Sequence, residues 1–282
     1  MFESLPPLVN ILLLSLMASM GTGLGGLIAI IRTPGRRSYG LLMGITAGVM
    51  ICLSFLELVN EAWDLGGPVV ATIGFGVGAF FMFGLDHFAP HIRFGEKEAH
   101  GEHGINQAAP GNGLRMHLGR GYGRFRQRNK VVDRGLVNTG MLLAVGITLH
   151  NLPEGIAVGA GYMVNPQFGL FIAIAILLHN IPEGLATALP LCKGGICKKD
   201  ALRVAFLSGL AEPVGALLAS AFLVAFQGLV PFALAFAGGV MVFITLDELI
   251  PTAREYGHQH YTAIGIILGS LFVFILSGIF GV

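Results

Sequence analysis

The feature that most constrains the fold is a series of eight apolar stretches, each close to the roughly 20 residues a helix needs to cross a bilayer. They run over residues 8–31, 38–61, 68–90, 136–162, 168–191, 201–226, 230–253 and 261–281. Only 12% of the residues are charged, whereas a soluble domain has about a quarter. The sequence therefore predicts an all-α polytopic membrane protein with eight transmembrane helices.

The positions of the basic residues predict how these helices are oriented. If both termini lie outside, all 17 Lys and Arg residues fall on the inner side, in the inner connections or, for Arg203, at the inner end of span six. Cytoplasmic loops carry such an excess of positive charge. We therefore predict a multi-pass protein of the bacterial inner (plasma) membrane, with both termini extracytoplasmic. No basic stripe with interleaved aromatic residues is present, so we expect no nucleic-acid partner.

The one long hydrophilic stretch divides the chain into four parts. Residues 1–90 carry transmembrane helices one to three. Residues 91–135 are rich in His, Arg and Gly, and we expect a flexible cytoplasmic loop there. Residues 136–191 carry helices four and five, and residues 192–282 carry helices six to eight.

Helices four and five carry the same six-residue pattern, His-Asn-x-Pro-Glu-Gly. The two copies, which we call the hexads, are residues 150–155 and 179–184. His and Glu at positions i and i+4 share a helix face, and the Asn at i+1 lies three residues before the Glu. Consecutive spans are antiparallel, so the hexads can face each other at one depth. Pro153 and Pro182 each remove a backbone hydrogen bond and are expected to kink their helices.

These polar residues predict a metal centre inside the helix bundle. Apart from Arg203 at the inner end of span six, no Lys or Arg lies in the spans to neutralise Glu154, Glu183 or Glu212 of span six. A carboxylate near the bilayer centre costs about 3 kcal/mol or more, which a bound cation would offset. Imidazole together with carboxylate suits zinc, iron(II), manganese or cadmium. The alternative is that the glutamates stay protonated and hydrogen-bond between helices.

On these motifs, with Ser208–Gly215 in span six and Asp247–Pro251 in span seven, the chain resembles the ZIP (Zrt/Irt-like) metal-transporter family and its bacterial GufA-like branch. The resemblance implies a 3+2+3 bundle, in which an inverted repeat of helices one to three and six to eight surrounds the kinked central helices. It also implies a binuclear metal centre. The ligands of one ion would be His150, Glu154, His179 and Glu183, with Met50 nearby. The ligands of the other would be Asn151, Asn180 and Glu212, and both ions would share Glu154 and Glu183. Some family members have Asp at the position of Asn180, and the amide here predicts weaker binding of the second ion.

The function this predicts is transport of divalent transition metals, chiefly Zn²⁺ and also Fe²⁺, Mn²⁺ or Cd²⁺, into the cytoplasm by alternating access. The metal is then a substrate, and the protein is not expected to be an enzyme. Two alternatives stay open, an intramembrane zinc-dependent hydrolase and a passive metal-selective channel. The expected partners are the metal ions and the lipid bilayer, with a homodimer as one possible assembly.

Polar residues near the span ends are candidates for the route of the ion. An electronegative entrance is predicted at Glu57, Glu61 and Asp64, at the outer end of span two. An exit path or a regulatory site is predicted at Asp86, His87, His91, His100, His103, Asp247 and Glu248. The competing explanation for the residues at span ends is an ordinary solvated helix end.

Overall fold

The structure, a computed structural model, describes residues 5–32, 34–88 and 133–282. Every regular element within these ranges is helical. Seven helical stretches in the described residues are long and apolar enough to cross a bilayer. The predicted all-α polytopic class is therefore confirmed.

Ten α-helices are described, and apart from the interval between the third and the fourth they follow one another with short connections. In chain order they are α1 (Pro7–Ile31), α2 (Arg36–Cys52), α3 (Asn60–Phe88), α4 (Arg134–Val164), α5 (Pro166–Lys193), α6 (Lys198–Gly209), α7 (Ala211–Ala225), α8 (Val230–Ile244), α9 (Ile250–Tyr256) and α10 (Gln259–Phe280). Two π-helical turns continue the chain between helices: Leu53–Val59 joins α2 to α3, and Thr245–Leu249 joins α8 to α9.

The turn between α4 and α5 sets the relative depth of the hexads. Asn165 is the single residue between the two helices. Its Oδ1 accepts a hydrogen bond from the backbone N–H of Phe168 at 2.7 Å, and Pro166 occupies the first helical position. The hexads therefore lie at nearly equal distances from one tight turn, on antiparallel helices. Both helices continue past Pro153 and Pro182, where the predicted kinks would lie.

Predicted spans two and three are joined more closely than expected. A helical run of 50 residues extends over Arg36–Leu85. It is interrupted at Gly67, whose φ of 79° and ψ of 172° are not helical. Such a positive φ is easy only for glycine, and Pro68 is suited to start a helix. A loop was expected between these spans, and the structure has a bend at one residue in its place.

Predicted span six is in turn divided. Helices α6 and α7 meet at Leu210, and Pro213 lies in the first turn of α7. Proline is tolerated there because the first N–H groups of a helix have no partner within it. Glu212 of the predicted metal centre is consequently held at the start of a helix, beside this break.

The helices pack as two bundles. In the ligand bundle, α1 packs on α5, and α4 packs on α5 and α7; in the companion bundle, α3 packs on α8, and α2 packs on α10. Glycine permits this close approach. A Cβ on Gly25 or Gly184 would overlap with a carbonyl oxygen between α1 and α5, and one on Gly48 or Gly269 would do so between α2 and α10.

The connections that carry the basic residues contact one another at one end of the molecule. Arg36 donates to the carbonyl of Glu255 at 3.3 Å, and Lys198 donates to the carbonyl of Ile30 at 2.5 Å. This agrees with the predicted order of the spans. Which side of the membrane this end faces stays a prediction, and so does the four-part division of the chain.

Candidate metal centre

The structure brings the two hexads into direct contact, and each histidine pairs with the glutamate of the other hexad. His179 Nε2 lies 3.0 Å from Glu154 Oε1, and His150 Nε2 lies 3.2 Å from Glu183 Oε2. None of the four residues is more than 3% exposed. The arrangement follows from the i, i+4 spacing, which puts His and Glu on the facing sides of α4 and α5.

Three of these residues are close enough to hold one ion. His150, Glu154 and Glu183 each offer a ligand atom, and these atoms all lie within 4.8 Å of one another. Zinc ligands lie about 2.0–2.2 Å from the metal, so two ligand atoms of one ion are separated by at most about 4.4 Å. A small movement of the side chains would therefore complete the coordination.

The asparagines of the hexads are held by their amide nitrogens. Asn151 Nδ2 donates to the carbonyl of Ser208 at 3.1 Å, and Asn180 Nδ2 donates to the carbonyl of Ala18 at 3.3 Å. Asn180 Nδ2 also donates to Glu212 Oε1 in a short hydrogen bond. These contacts leave the amide oxygens of both asparagines available to a ligand, and they bring Glu212 to the hexads.

Several buried oxygens at this place have no hydrogen-bond partner. Most buried polar atoms have one, so their grouping here needs a specific cause. All Lys and Arg side chains in the described residues are exposed, so no basic group neutralises the buried carboxylates. Divalent cations are the species that such oxygens bind. These oxygens are Asn151 Oδ1, Glu154 Oε2, Asn180 Oδ1, Glu183 Oε1, Glu212 Oε2 and also Glu183 Oε2, whose one close polar neighbour named above is His150 Nε2.

Helix α2 lies against this centre. Thr46 Oγ1 donates to the carbonyl of His179 at 3.2 Å, and Met50 is one turn farther along the same helix face. Met50 is fully buried, and its Sδ accepts a hydrogen bond from Thr245 Oγ1 at 3.6 Å. Met50 is thus beside the hexads, and its role as a ligand stays a prediction.

Two of the three predicted entrance residues line a cavity. It has a volume of about 410 Å³ and lies at the end of the molecule that holds the α4–α5 turn, with Glu57, Glu61, Asn60 and Asn165 in its wall. Glu57 is only 8% exposed. Asp64 is exposed and does not line the cavity. The cavity is at the opposite end from the basic connections.

The predicted exit residues are less closely grouped. Glu248 is half-buried and interacts electrostatically with His150, while Asp247 is exposed. His87 is exposed, and its ring stacks on Phe83 with the ring centroids 6.2 Å apart. Three of the other predicted residues, His91, His100 and His103, lie outside the described part of the structure. Asp86 lies in α3, but its side chain is outside the described part.

Sequence reasoning missed the hydroxyl groups around the centre. Thr46 and Thr245 donate hydrogen bonds between helices here, and Ser208 provides a backbone acceptor. Ser and Thr often bond across membrane helices, so their presence in apolar spans was a signal. Their partners could not be read from the sequence because each bond joins distant parts of the chain.

Comparison with known proteins gives similarity over nearly the whole chain. A family model described as ZIP zinc transporter matches residues 95–277. The zinc transporter ZupT of Chlorobium luteolum is 38% identical over 271 residues, covering 92% of this chain and 93% of the relative. The zinc transporter ZupT of Akkermansia muciniphila is 36% identical over 277 residues, covering 94% and 96%. The ZupT of Corynebacterium efficiens is 36% identical over 275 residues, covering 94% of each chain.

Proposed function

The chain belongs to the ZIP zinc-transporter family and is a membrane transporter of divalent metal ions, and on this premise we propose that it carries Zn²⁺ into the cytoplasm through the centre formed by the two hexads. Fe²⁺, Mn²⁺ and Cd²⁺ are proposed as further substrates, because the same imidazole and carboxylate groups suit them. The relatives are named as transporters rather than enzymes. This favours transport over the alternative of an intramembrane hydrolase.

The observation that carries this proposal is the group of unpartnered oxygens around two buried histidines. Leaving a buried acceptor without a partner costs about 1–3 kcal/mol. Here several such oxygens lie together, and a divalent cation bound among them would remove this cost. The mixture of imidazole nitrogen with oxygen favours transition metals over magnesium or calcium.

The proposed centre offers enough ligand groups for the two ions that the family resemblance implies. Glu154 uses Oε1 to contact His179, while its Oε2 has no partner. A carboxylate with one oxygen in contact with an imidazole and the other without a partner is suited to bridge two ions. We assign Glu154 and Glu183 as bridging ligands. His150 and His179 then serve the first ion, with Asn151, Asn180 and Glu212 on the second.

We propose eight membrane crossings. The 50-residue run over Arg36–Leu85 would be about 75 Å long if straight, against a hydrocarbon core about 30 Å thick. Its interruption at Gly67 divides it into two lengths that each suit one crossing. With α6 and α7 as one crossing and α8 and α9 as another, the total is eight.

Symmetric contacts support the proposed 3+2+3 inverted repeat. The packing of α1 on α5 is matched by that of α7 on α4, and the packing of α3 on α8 by that of α10 on α2. The hydrogen bond from Asn180 to Ala18 has its counterpart in the bond from Asn151 to Ser208. Residues 48–59 and 239–250 also share Gly-Val-Met, a hydroxyl residue and Glu-Leu at equal spacing. Both segments contain a π-helical turn.

In the proposed mechanism the ligand bundle moves against the companion bundle and exposes the centre to each side in turn. Ions would enter by way of the cavity at Glu57 and Glu61. They would leave past Glu248, which is near His150. Every proposed ligand comes from one chain, so a single protomer is sufficient for transport whether or not a homodimer forms.

The first test replaces the bridging carboxylates. We expect Glu154→Ala and Glu183→Ala each to abolish zinc uptake in proteoliposomes and stoichiometric zinc binding in detergent, because both ions lose a ligand. Glu255→Ala, which removes an exposed carboxylate far from the hexads, serves as the control and should transport normally. Wild-type uptake by folded Glu154→Ala protein would contradict the assignment of the centre.

A further inference from the structure

One hydrogen bond joins the two repeats across the centre of the molecule. Thr245 Oγ1, in the second π-helical turn, donates to the carbonyl of Met241 at 2.7 Å and shares this proton with Sδ of Met50, which lies 3.6 Å away in the opposite repeat. In the alignment of residues 48–59 with 239–250, the counterpart of Thr245 is Ser54 and the counterpart of Met50 is Met241. Perfect symmetry would therefore include a second bond, from Ser54 to Met241.

That second bond is not made. Ser54 Oγ is fully buried and has no hydrogen-bond partner, and Met241 is fully buried as well. The two residues are nevertheless on adjoining segments. The backbone oxygen of Ser54 lies 3.3 Å from the place a Cβ would take on Gly238, which is one helical turn before Met241. The first π-helical turn also packs on α8 as the second packs on α2.

An unpartnered buried hydroxyl is costly unless another conformation uses it. The two repeats have similar sequences and opposite orientations in the membrane. If they exchange conformations, the resulting state faces the other side and has a similar free energy. In that exchanged state the geometry now found at Thr245 and Met50 would be found at Ser54 and Met241.

We propose that Thr245 and Ser54 are a pair of positioning residues that bond in turn to the methionine of the opposite repeat. The bond from Thr245 to Met50 stabilises the state described here, which has the outer cavity. The bond from Ser54 to Met241 stabilises the state that faces the cytoplasm. The two hydroxyls thereby set the balance between the states and orient the Met50 thioether beside the metal centre. The inference rests on the proposed function, because it requires two alternating states.

The proposal predicts opposite effects for two conservative variants. Thr245→Val keeps the shape of the side chain and removes its hydroxyl, so it should shift the balance away from the described state. Ser54→Ala should shift the balance toward it. We expect each shift to be about threefold, the size typical of one interhelical hydrogen bond in a membrane protein. The double variant should return close to the wild-type balance.

The measurement is the rate at which a membrane-impermeant thiol reagent labels Asn60→Cys in intact cells. Asn60 lines the outer cavity, so its labelling follows the fraction of molecules in the described state. The same chain without the added cysteine gives the background from Cys52, Cys192 and Cys197. We expect slower labelling with Thr245→Val, no slowing with Ser54→Ala, and recovery in the double variant.

Ser220→Ala is the matched control, because Ser220 is equally buried and its hydroxyl donates to the carbonyl of Ala216 four residues earlier, as that of Thr245 does to Met241. It therefore separates the loss of such a bond within a helix from the loss of the contact with Met50. Slowing by both single variants, or by neither, would overturn the pairing, as would a double variant slower than Thr245→Val. Zinc uptake is measured in the same cells. Loss of uptake by the wild-type chain would contradict the proposed function, whereas unchanged labelling in a transporting protein contradicts only the pairing.

Discussion

Asn180 has two separate tasks at the centre. Its amide nitrogen donates to the carbonyl of Ala18 and to Glu212, and its amide oxygen is left without a partner. The neutral side chain thereby holds Glu212 beside the hexads. As a ligand, however, a neutral amide attracts a cation less strongly than a carboxylate does.

Replacing Asn180 by Asp should strengthen the second ion position. The Asn180→Asp variant adds a negative charge beside Glu212, which disfavours the ion-free centre and favours a bound cation. We expect zinc to bind at the second position at least tenfold more tightly, which corresponds to about 1.4 kcal/mol. Titration calorimetry with the purified protein measures this. Asn138→Asp, which alters an exposed asparagine of α4, is the control; equal affinities in all three proteins would place Asn180 outside the second position.

The sequence was informative about the hexads because their charges are unexpected in apolar helices. His150 and Glu154 could be placed on one helix face from their spacing alone. It was not informative about Met50, because a lone methionine in an apolar span is usually a packing residue. Its contact with Thr245 depends on the packing of helices that are far apart in the chain.

At the scale of helices, several helix pairs are in close contact where a glycine of one helix touches the backbone of the other. Gly48 illustrates this in the companion bundle, because a Cβ there would overlap with the carbonyl oxygen of Ile266 on α10. In the described residues, a Cβ added to Gly76 in α3 would meet no atom within 4 Å apart from those of its own stretch of helix. The two glycines therefore allow a matched comparison.

We expect Gly48→Ala to destabilise the protein and Gly76→Ala to leave it unchanged or slightly more stable. Alanine gains about 1 kcal/mol of helix propensity over glycine at either site. At Gly48 overpacking should outweigh this gain, because forcing an extra carbon into a tight contact costs roughly 1–3 kcal/mol and sometimes more. Thermal unfolding of both variants in detergent provides the measurement. An unfolding temperature for Gly48→Ala equal to that of Gly76→Ala would show that this contact is easily relaxed.

The all-helical class followed from the apolar stretches, but the interruptions of the helices did not. The bend at Gly67 was expected only as a short loop, although the Gly67-Pro68 pair was a local signal for it. The break at Leu210 was missed despite Pro213. The π-helical turns at Leu53–Val59 and Thr245–Leu249 have no comparable signal in a single sequence, since they differ from an α-helix by one residue per turn in hydrogen bonding.

For the whole molecule, the distribution of charge predicts the orientation in the membrane. The chain offers an internal probe, because Cys197 is exposed among the basic connections. Gln227 is exposed in the turn before α8, on the side predicted to be outside. We expect an impermeant thiol reagent to label Gln227→Cys in intact cells and to reach Cys197 only after the membrane is made permeable. The opposite pattern would reverse the orientation and the direction of uptake.

Which helices pack on one another could not be predicted from the sequence. Apolar lengths and basic residues place each span across the membrane, but they do not say which spans touch. The pairing of α1 with α5 and of α2 with α10 depends on small residues such as Gly25 and Gly269, and small residues are spread through all the spans. The predicted regulatory histidines of the long loop, His100 and His103, lie outside the described residues.

The single-residue turn at Asn165 makes chain length a constraint in its own right. Counting outward from that residue, His150 and His179 are reached after almost the same number of helical positions on either side. An insertion in one arm alone would lift one hexad by about 1.5 Å and rotate it by roughly 100° for each added residue. Such an insertion keeps every ligand residue and could still move the two hexads apart. The number of residues between His150 and His179 therefore matters to the centre as much as the identity of its ligands does.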